Sequence, residues 1–459
     1  MNAIYALTQS INQILWGPVM LVVLLGTGIA FTLKLRFIQV RKLKAAFWFT
    51  FGDLFKKKKD TGEETMSSFQ ALSTAIAAQV GTGNLAGVAT AIVSGGPGAI
   101  FWMWISGFFG MGTIFAEAIL AQIFRKKSGG ISVGGPSYYI EHGLRSKKLA
   151  AFFSIAIIFA LGFMGNMVQS NSISEAVAGA FSIPPIAIGI VVAILVGLII
   201  MGGMKRIAHF TEKIVPLMAF LYIFGSIVLL IFQADQIIPA FKMIFHGAIN
   251  PQAATGGIIG VTVKEAFRYG IARGLFSNEA GMGSTPHAHA VAKVKHPGQQ
   301  GLVAMMGVII DTGIICTLTA LVILTTGVLE TGLSGAALTQ EGFIRSFGGF
   351  GSYLIAVCMF FFALSTIIGW YYFGETNVRY LFGRKGVFPY RILVLLCIIV
   401  GTTMKVEIVW ELADAFNGLM VIPNLIALLG LMSFVVKATQ DYEHIFLKGK
   451  PSSYEDQEI

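Results

Sequence analysis

The most constraining feature of the sequence is a series of apolar segments, each long enough to cross a lipid bilayer as a helix. A crossing helix needs about 20 mainly apolar residues. The chain of 459 residues is 55% hydrophobic and 12% charged, whereas a soluble domain has about a quarter of its residues charged. We therefore predict an all-α polytopic membrane protein with about eleven spans. They lie near 11–33, 66–95, 98–124, 149–182, 184–203, 208–234, 256–292, 298–328, 349–381, 387–402 and 405–437.

Positive charge is distributed asymmetrically between these segments. If the N-terminus lies outside the cell and the spans alternate in direction, 27 of the 33 Lys and Arg residues fall in inward loops. This distribution follows the positive-inside rule, so the net charge of +10 does not require a nucleic-acid partner. We predict an outside N-terminus and a cytoplasmic C-terminus. The run Lys56 to Lys59 is interpreted as a topology determinant next to anionic lipid.

The polar linkers are too short to hold a soluble enzyme domain. The segments 125–148 and 235–255 mix aromatic with polar residues, and we expect short interfacial helices in both. The three cysteines, Cys316, Cys358 and Cys397, lie in apolar spans without CxxC spacing. They are therefore expected to be small buried residues rather than disulfides or metal ligands.

One span carries helix-breaking residues at its centre, in the stretch AAQVGTGNLAGVA from Ala77 to Ala89. A second stretch, ARGLFSNEAG at 272–281, shares four of ten aligned residues with AQVGTGNLAG at 78–87. If the span 11–33 is set aside, each stretch lies in the first span of a set of five, and the two sets have opposite orientations. Inverted repeats with interrupted helices at matching positions indicate the midplane site of a secondary transporter.

An unwound turn inside a bilayer needs a physical reason. In hydrocarbon, each unpaired backbone group costs several kcal/mol unless a cavity, a ligand or a neighbouring helix satisfies it. Gly81 and Gly83 permit such a turn; its free amides suit a carboxylate, and its free carbonyls suit a small cation. The alternative is that these glycines serve only close helix packing. A second break at the inverted position favours the binding-site interpretation over helix packing alone.

Two stretches carry a family resemblance. VGTGN, from Val80 to Asn84, resembles the unwound first core helix of sodium-coupled amino-acid transporters with the leucine-transporter fold. GGPGAIFWMWISGFFGMGT, from Gly95 to Thr113, resembles the signature of the alanine or glycine:cation symporter family, and the similarity extends through FSNEAGMGSTPHAHA and ALSTIIGWYYFGE. The resemblance covers essentially the whole chain and implies a prokaryotic plasma membrane protein.

The fold implied by this resemblance is one extra N-terminal helix before a 5+5 inverted-repeat core with two broken helices. The expected divisions are an N-terminal helix with a basic cytoplasmic linker at 1–65, a first repeat at 66–234, an extracellular connection at 235–255, a second repeat at 256–437 and a cytoplasmic tail at 438–459.

The same resemblance implies a site for a small neutral amino acid, alanine or glycine. Gly81, Thr82 and Gly83 would present backbone and hydroxyl groups to the substrate carboxylate. Asn84 would brace the turn or bind ions.

Other spans would complete this site. Asn166 and Gln169 lie on one helical face, and Gln169 would contact the substrate amine or carboxylate; its alternative role is a polar contact between helices. Trp370 would limit the volume of the pocket, and its alternative role is plain packing. The wall that meets the substrate side chain would come from three residues of the second break, Phe276, Ser277 and Asn278.

A co-transported Na⁺ is expected, and no other cofactor. Sodium is a hard ion that prefers several oxygen ligands, which neutral carbonyls and hydroxyls can supply. Ser365 and Thr366 are adjacent hydroxyls, and the resemblance implies that they face carbonyls of Ala77 and Val80, with Phe362 one turn earlier. The alternative is that both hydroxyls bond only to their own helix.

Intramembrane acids are functional candidates by default. Glu117, Glu279 and Asp311 lie in predicted spans, and Arg273 is placed to be the partner of Glu279. Asp311 would be the titrating group of a proton-coupled transporter, which remains an alternative to sodium coupling, as does a transporter of the same fold for another solute. An ion channel and an intramembrane enzyme are less favoured, because the chain has internal antiparallel repeats and no HExxH motif.

Overall fold

The structure, a computed structural model, describes residues 2–52, 66–128, 131–250, 262–404, 406–444, 446–449, 452 and 454. Within these residues the protein is mostly helical. The α-helices are α1 Asn2–Leu15, α2 Pro18–Lys34, α3 Ile38–Arg41, α4 Leu43–Phe51, α5 Ser68–Gln79, α6 Val88–Gly95, α7 Ala99–Ile123, α8 Pro136–Gly143, α9 Lys147–Ile157, α10 Asn166–Phe181, α11 Pro185–Ile200, α12 Gly203–Phe232, α13 Ala234–Ile249, α14 Val263–Asn278, α15 Pro286–Ala290, α16 Pro297–Val308, α17 Thr317–Thr325, α18 Gly335–Phe347, α19 Gly349–Phe382, α20 Val387–Gly401, α21 Val406–Gly430 and α22 Met432–His444.

Wider and tighter helical turns join several of these helices. The π-helical segments are Gly83–Gly87, Ile158–Gly165 and Ile309–Cys316, and the 3₁₀ turns are Val328–Thr331, Gly383–Gly386 and Phe446–Lys448. Each π-helical segment lies inside a predicted span, where such turns often accompany functional sites.

Helices lie in each of the eleven predicted ranges, but length and apolarity support fewer membrane crossings. Six segments of the described chain pass that test, and eight pass if each of two bent helix pairs counts as one span. The bent pairs are α1 with α2, at 40°, and α5 with the helix that follows Gly83, at 51°. The count of eleven spans therefore stays a prediction.

The linkers contain more structure than expected. The predicted linker helices are present as α8 and α13, while β1, Lys126–Ser128, and β2, Ile131–Val133, form an antiparallel hairpin that the sequence analysis did not anticipate. The run Lys56 to Lys59 and the beginning of the predicted span at 256 lie outside the described residues.

Two helices that lead into the glycine-rich stretches begin in the same way. Ser67 caps α5 in a reciprocal pair with Gln70, and Thr262 caps α14 in the same kind of pair with Glu265. In each pair the hydroxyl accepts a backbone N–H, and the longer side chain accepts the N–H of the capping residue. Serine or threonine followed three residues later by glutamine or glutamate is thus a further similarity between the two stretches.

The two glycine-rich helices cross the protein in opposite directions. Met66, just before α5, donates its N–H to the Val291 carbonyl at 3.2 Å and accepts the Lys293 N–H at 2.8 Å. The start of α5 and the end of α15 therefore lie at the same face of the protein. Helix α7 packs along α14 and α16. Helix α19 packs along α10 and α5.

Candidate functional site

The first glycine-rich helix is interrupted at residues 80–82, here called the first break. After α5, Val80 has extended backbone angles (φ −85°, ψ 91°), and the helix resumes at Gly83. Side chains satisfy two of the freed amides: the Gly81 N–H donates to Asn84 Oδ1 at 2.9 Å, and the Thr82 N–H donates to Gln169 Oε1 at 3.3 Å. The predicted unwound turn is present, and neighbouring polar side chains stabilise it.

Gly81 is required by close approach rather than by its backbone angles. A Cβ at this position would lie 2.4 Å from Thr366 Oγ1 and 3.2 Å from Gln169 Oε1. Glycine therefore allows the first break to touch α19 directly.

The predicted sodium ligands converge at this contact. Thr366 Oγ1 lies 2.9 Å from the Ala77 carbonyl and 3.3 Å from the Val80 carbonyl, and Ser365 Oγ lies 3.5 Å from the Ala77 carbonyl. Both hydroxyls also donate to the Phe362 carbonyl, at 2.9 and 3.0 Å, as the back-bonding alternative expects. Each hydroxyl has one proton, so oxygen acceptors exceed donors here. All five residues are buried, and this oxygen-rich arrangement suits a hard cation.

Gln169 and Asn166 differ in what they contact. The Gln169 side-chain amide makes two hydrogen bonds to the first break. Its Oε1 accepts the Thr82 N–H at 3.3 Å, and its Nε2 donates to Thr82 Oγ1 at 3.1 Å. Asn166 Nδ2 instead donates to the Gly162 carbonyl of its own helix at 2.9 Å, and its Oδ1 has no partner among the described residues. The structure thus brings Gln169, but not Asn166, into contact with the first break.

The second glycine-rich helix is interrupted at residues 279–285, here called the second break. Glu279 has left-handed backbone angles (φ 58°, ψ 11°), and Gly281 and Gly283 follow with φ of 88° and 79°. Glycine is favoured at both positions because side chains rarely tolerate these angles. The helix resumes at Pro286 as α15.

The two breaks meet through residues that the sequence analysis assigned to the pocket. A Cβ at Gly83 would lie 3.4 Å from Ser277 Cα and 3.6 Å from Phe276 Cδ1. On the other side of the first break, Gln79 Nε2 donates to the Asn278 carbonyl at 2.6 Å. These four residues are buried along with Gly83, so the region between the breaks is enclosed.

Asp311 connects both breaks from the π-helical segment Ile309–Cys316. Its Oδ1 accepts from Asn84 Nδ2 at 2.5 Å and from Ser277 Oγ at 3.0 Å, and its Oδ2 accepts from Thr312 Oγ1 at 2.8 Å. The side chain is fully buried and forms no ion pair with a described residue. The sequence signal was a lone acid in an apolar span, and the structure places it beside the predicted substrate site.

The predicted pairing of Arg273 with Glu279 is wrong. Arg273 Nη1 lies 3.6 Å from Asp414 Oδ2 instead. Residues contact along a helix at a spacing of three or four, whereas Arg273 and Glu279 are six positions apart, so even a continued helix would not bring them together. The α-helix also ends at Asn278, before Glu279.

Glu279 instead contacts Trp370. Trp370 Nε1 donates to Glu279 Oε1 at 2.6 Å, and Ser284 Oγ donates to Glu279 Oε2 at 2.6 Å. The indole also packs against Gly165, where a Cβ would lie 2.7 Å from the ring. Trp370 thus joins α19 to the second break, a role that the sequence analysis did not anticipate.

The Glu117 carboxylate forms hydrogen bonds with the backbone of two glycines in the second break. Its carboxylate accepts the Gly281 N–H at 3.1 Å and the Gly283 N–H at 3.0 Å, and Asn424 Nδ2 donates to it at 2.7 Å. The unwound backbone therefore obtains its partners from α7 and α21. From the sequence, Glu117 is recognisable only as an acid in a predicted span.

Comparison with known proteins is consistent with this geometry. The sequence matches the sodium:alanine symporter family over residues 1–456. It is 45% identical to the sodium/alanine symporter AgcS of Methanococcus maripaludis, with 96% of this chain and 97% of the relative covered. It is 42% identical to the probable sodium/glutamine symporter GlnT of Bacillus subtilis (97% and 92% covered) and 41% identical to the putative sodium/proton-dependent alanine carrier YrbD of the same organism (95% and 91%).

Solved structures with little sequence similarity share the fold. MhsT in complex with L-phenylalanine superposes with a TM-score of 0.56 at 14% identity, covering 82% of this chain and 98% of that one. A manganese transporter of Eremococcus coleocola gives a TM-score of 0.53 at 15% identity, covering 81% and 78%.

Proposed function

Because the chain belongs to the sodium:alanine symporter family of multi-pass membrane transporters, we propose that it moves a small neutral amino acid, alanine or glycine, into the cell together with Na⁺. The observation that carries this proposal is the convergence of the Ser365 and Thr366 hydroxyls on the Ala77 and Val80 carbonyls at the edge of the first break. An ion at this position would link α5 to α19, which the proposed transport cycle moves relative to each other.

Sodium would bind where the oxygen acceptors already outnumber the protons. The ligands would be the Ala77, Val80 and Phe362 carbonyls with the Ser365 and Thr366 hydroxyls. No acidic residue is needed to neutralise the bound ion, because Na⁺ carries a single charge that neutral carbonyl and hydroxyl oxygens can coordinate. Binding would also satisfy carbonyls that the unwound turn leaves without helical partners.

The amino acid would bind between the two breaks. The Thr82 hydroxyl, whose oxygen accepts from Gln169 Nε2, would donate to the substrate carboxylate. The Gly81 and Thr82 amides would also donate to it once they release Asn84 and Gln169, their present acceptors. The substrate side chain would face Phe276 and Ser277, which lie within van der Waals contact of a Cβ placed at Gly83. This closeness supports alanine and glycine as substrates.

The transport cycle would follow alternating access. The predicted ligands are buried, as a state closed on both sides would require. Joint binding of ion and substrate would favour this closed state, which then opens inward. One charge crossing a 100 mV potential supplies about 2.3 kcal/mol, which is sufficient for a concentration ratio of roughly fifty.

Proton coupling is the second candidate, and Asp311 is the observation that favours it. Asp311 accepts hydrogen bonds from both breaks, so a proton on its carboxyl would alter contacts on each side. The name of the relative YrbD mentions both sodium and proton dependence.

We also propose the membrane arrangement inferred from the charge distribution. The N-terminus would lie outside the plasma membrane and the C-terminus in the cytoplasm, with repeats at 66–234 and 256–437. The face that carries the Met66–Lys293 contact would then be cytoplasmic.

Uptake of labelled alanine into proteoliposomes tests the proposal. An inward sodium gradient should drive uptake that potassium or choline gradients do not, and glycine should compete. The double variant Ser365→Ala, Thr366→Ala should lose the sodium dependence. Uptake driven by a pH gradient without sodium would instead favour the Asp311 mechanism, and no uptake under either gradient would refute alanine as the substrate.

A further inference from the structure

The segment that follows α2 bends sharply at the end of a membrane-crossing helix pair. Residues Thr8–Leu15 of α1 together with α2 are long and apolar enough to cross a bilayer. After Lys34 the chain turns and continues as the short helices α3 and α4. Residues 34–51, here called the elbow, therefore begin where α2 leaves the hydrocarbon.

The elbow lies at the face of the protein that is proposed to be cytoplasmic. Arg41 Nη1 lies 3.0 Å from Glu443 Oε1 on α22. Two residues earlier on α22, Asp441 Oδ1 lies 3.1 Å from His296 Nε2, in the segment that follows α15. The same segment carries the backbone contact to the start of α5. Helix α4 also packs along α16 and α5, so the elbow is fixed to the body of the protein.

Two consecutive residues with left-handed backbone angles make the bend, Arg36 at φ 54° and Phe37 at φ 55°. The Phe37 N–H donates to the Thr32 carbonyl at 2.8 Å and the Arg36 N–H donates to the Leu33 carbonyl at 3.1 Å, which closes the end of α2. Glycine usually occupies such positions, because side chains strain a left-handed backbone. Here both positions carry large side chains, and both side chains are exposed.

An apolar stripe runs along the outer side of the elbow. Leu43, Phe47 and Trp48 lie on one face of α4, and Val40 of α3 extends this face; the four are 44–67% exposed. Ala46, on the other side of α4, is buried. A stripe of this kind is unfavourable in water but fits the boundary between acyl chains and headgroups, where tryptophan is common.

Three cations flank the apolar stripe. Lys34, Arg36 and Lys44 are exposed, and none of them forms an ion pair with a residue in the described part of the chain. The neighbouring Arg41, in contrast, is paired with Glu443. The elbow thus combines exposed apolar side chains with exposed positive charge at one membrane boundary.

We propose that the elbow is a binding surface for anionic phospholipids of the leaflet that it faces. The apolar stripe lies against the acyl chains, and Lys34, Arg36 and Lys44 pair with the phosphate groups of lipids such as phosphatidylglycerol. Phosphatidylcholine is bound less well, because its own cation is repelled by the three side chains.

The chemistry of the surface favours a lipid over a protein partner. A soluble acidic protein would match the cations but would leave the apolar stripe in water, and an apolar helix would cover the stripe but leave the cations without partners. An anionic phospholipid supplies both an acyl chain and a negative charge at the depth where the two features meet.

Lipid retention by the purified full chain tests this surface. Native mass spectrometry compares phosphatidylglycerol with phosphatidylcholine of the same acyl chains, in the absence of sodium and amino acid. The wild type should retain phosphatidylglycerol preferentially. The triple variant Lys34→Gln, Arg36→Gln, Lys44→Gln should lower this preference by about tenfold or more, since one cation near an anionic membrane surface contributes about fivefold.

The matched control removes the same number of cations elsewhere. Lys242→Gln, Lys264→Gln, Arg268→Gln takes two lysines and one arginine that are exposed on α13 and α14. This variant should keep most of the preference for phosphatidylglycerol. Equal losses in the two triple variants, or no preference in the wild type, would overturn the proposal.

Arg36→Gly separates lipid recognition from misfolding. Glycine adopts the left-handed angles of this position without strain, so the melting temperature in neutral detergent should equal or exceed that of the wild type. The preference for phosphatidylglycerol should nevertheless fall by about fivefold. Arg36→Lys, which keeps the charge, should retain the preference. An unchanged preference in Arg36→Gly would contradict the role assigned to this side chain.

Two other occupants are outcomes of the same experiment. Glycerol 3-phosphate carries the anionic group without acyl chains, and it should not displace phosphatidylglycerol; displacement would reduce the elbow to a site for small anions and overturn the lipid surface. A dimer in the same spectra that is lost in the elbow triple variant, without any lipid preference, would overturn it in favour of a second copy of the chain. Failure of sodium-driven uptake would leave the proposal intact, since no ion gradient or substrate enters the measurement.

Discussion

At the residue scale, Gly81 and Gly83 differ in what an added methyl group would meet. At Gly81 it would collide with Thr366 Oγ1 at 2.4 Å, whereas at Gly83 its nearest neighbours are Ser277 and Phe276 at 3.4 and 3.6 Å. We expect Gly81→Ala to raise the sodium concentration for half-maximal uptake by about tenfold or more, because it displaces a proposed ligand.

Gly83→Ala is the control for this prediction. It should leave the sodium requirement near that of the wild type but reduce alanine uptake more than glycine uptake, since the methyl group fills space for the substrate side chain. Sodium titration and competition between labelled alanine and glycine measure both effects. Equal sodium requirements in Gly81→Ala and the wild type would contradict the assigned ion position.

Gln169 and Asn166 give a second contrast at this scale. We predict that Gln169→Ala weakens alanine binding by about tenfold, because it frees the Thr82 amide and hydroxyl that the side chain holds. Asn166→Ala should change alanine affinity much less, since its amide bonds only to its own helix. Equilibrium binding of labelled alanine measures both variants, and a larger loss in Asn166→Ala would refute the distinction.

At the scale of elements, the second break depends on a side chain from another helix. Glu117→Gln replaces one of two carboxylate acceptors with an NH₂ group that cannot accept the Gly281 or Gly283 N–H. We predict a loss of about 1–3 kcal/mol in the free energy of unfolding, the cost of leaving a buried donor unpaired. Glu341→Gln, which removes an exposed 3.7 Å pair with Arg345, should cost at most about 1 kcal/mol. Thermal unfolding in detergent compares them.

The positions of these elements could be predicted better than their contacts. Apolar segment length located the helices, and the glycines located the first break, because both depend on local composition. The left-handed turn at Glu279 was not predictable from spacing, and neither were the contacts of Glu279 with Trp370 and of Arg273 with Asp414. The β1–β2 hairpin was missed for a related reason, since a short polar linker offers no hydrophobic periodicity.

At the scale of the whole molecule, ligand binding should raise the free energy of unfolding of the folded chain. Sodium that binds the folded chain but not the unfolded one adds about 2.7 kcal/mol at a concentration one hundred times its dissociation constant. We expect the melting temperature to rise with sodium but not with potassium at equal ionic strength. The double variant Ser365→Ala, Thr366→Ala should lose this increase. An equal rise with potassium would indicate a general salt effect instead of a specific ion site.

The backbone contact between Met66 and Lys293 has a mechanical consequence for this cycle. Two backbone hydrogen bonds join the start of α5 to the segment that follows α15, at the face proposed to be cytoplasmic. A movement of α15 away from α19 that keeps these two bonds would carry α5 with it, and with α5 the Ala77 and Val80 carbonyls that lie against Thr366. In the proposed cycle, opening the inward path and separating the proposed sodium ligands would be one displacement, so the ion would lose ligands as the path opens.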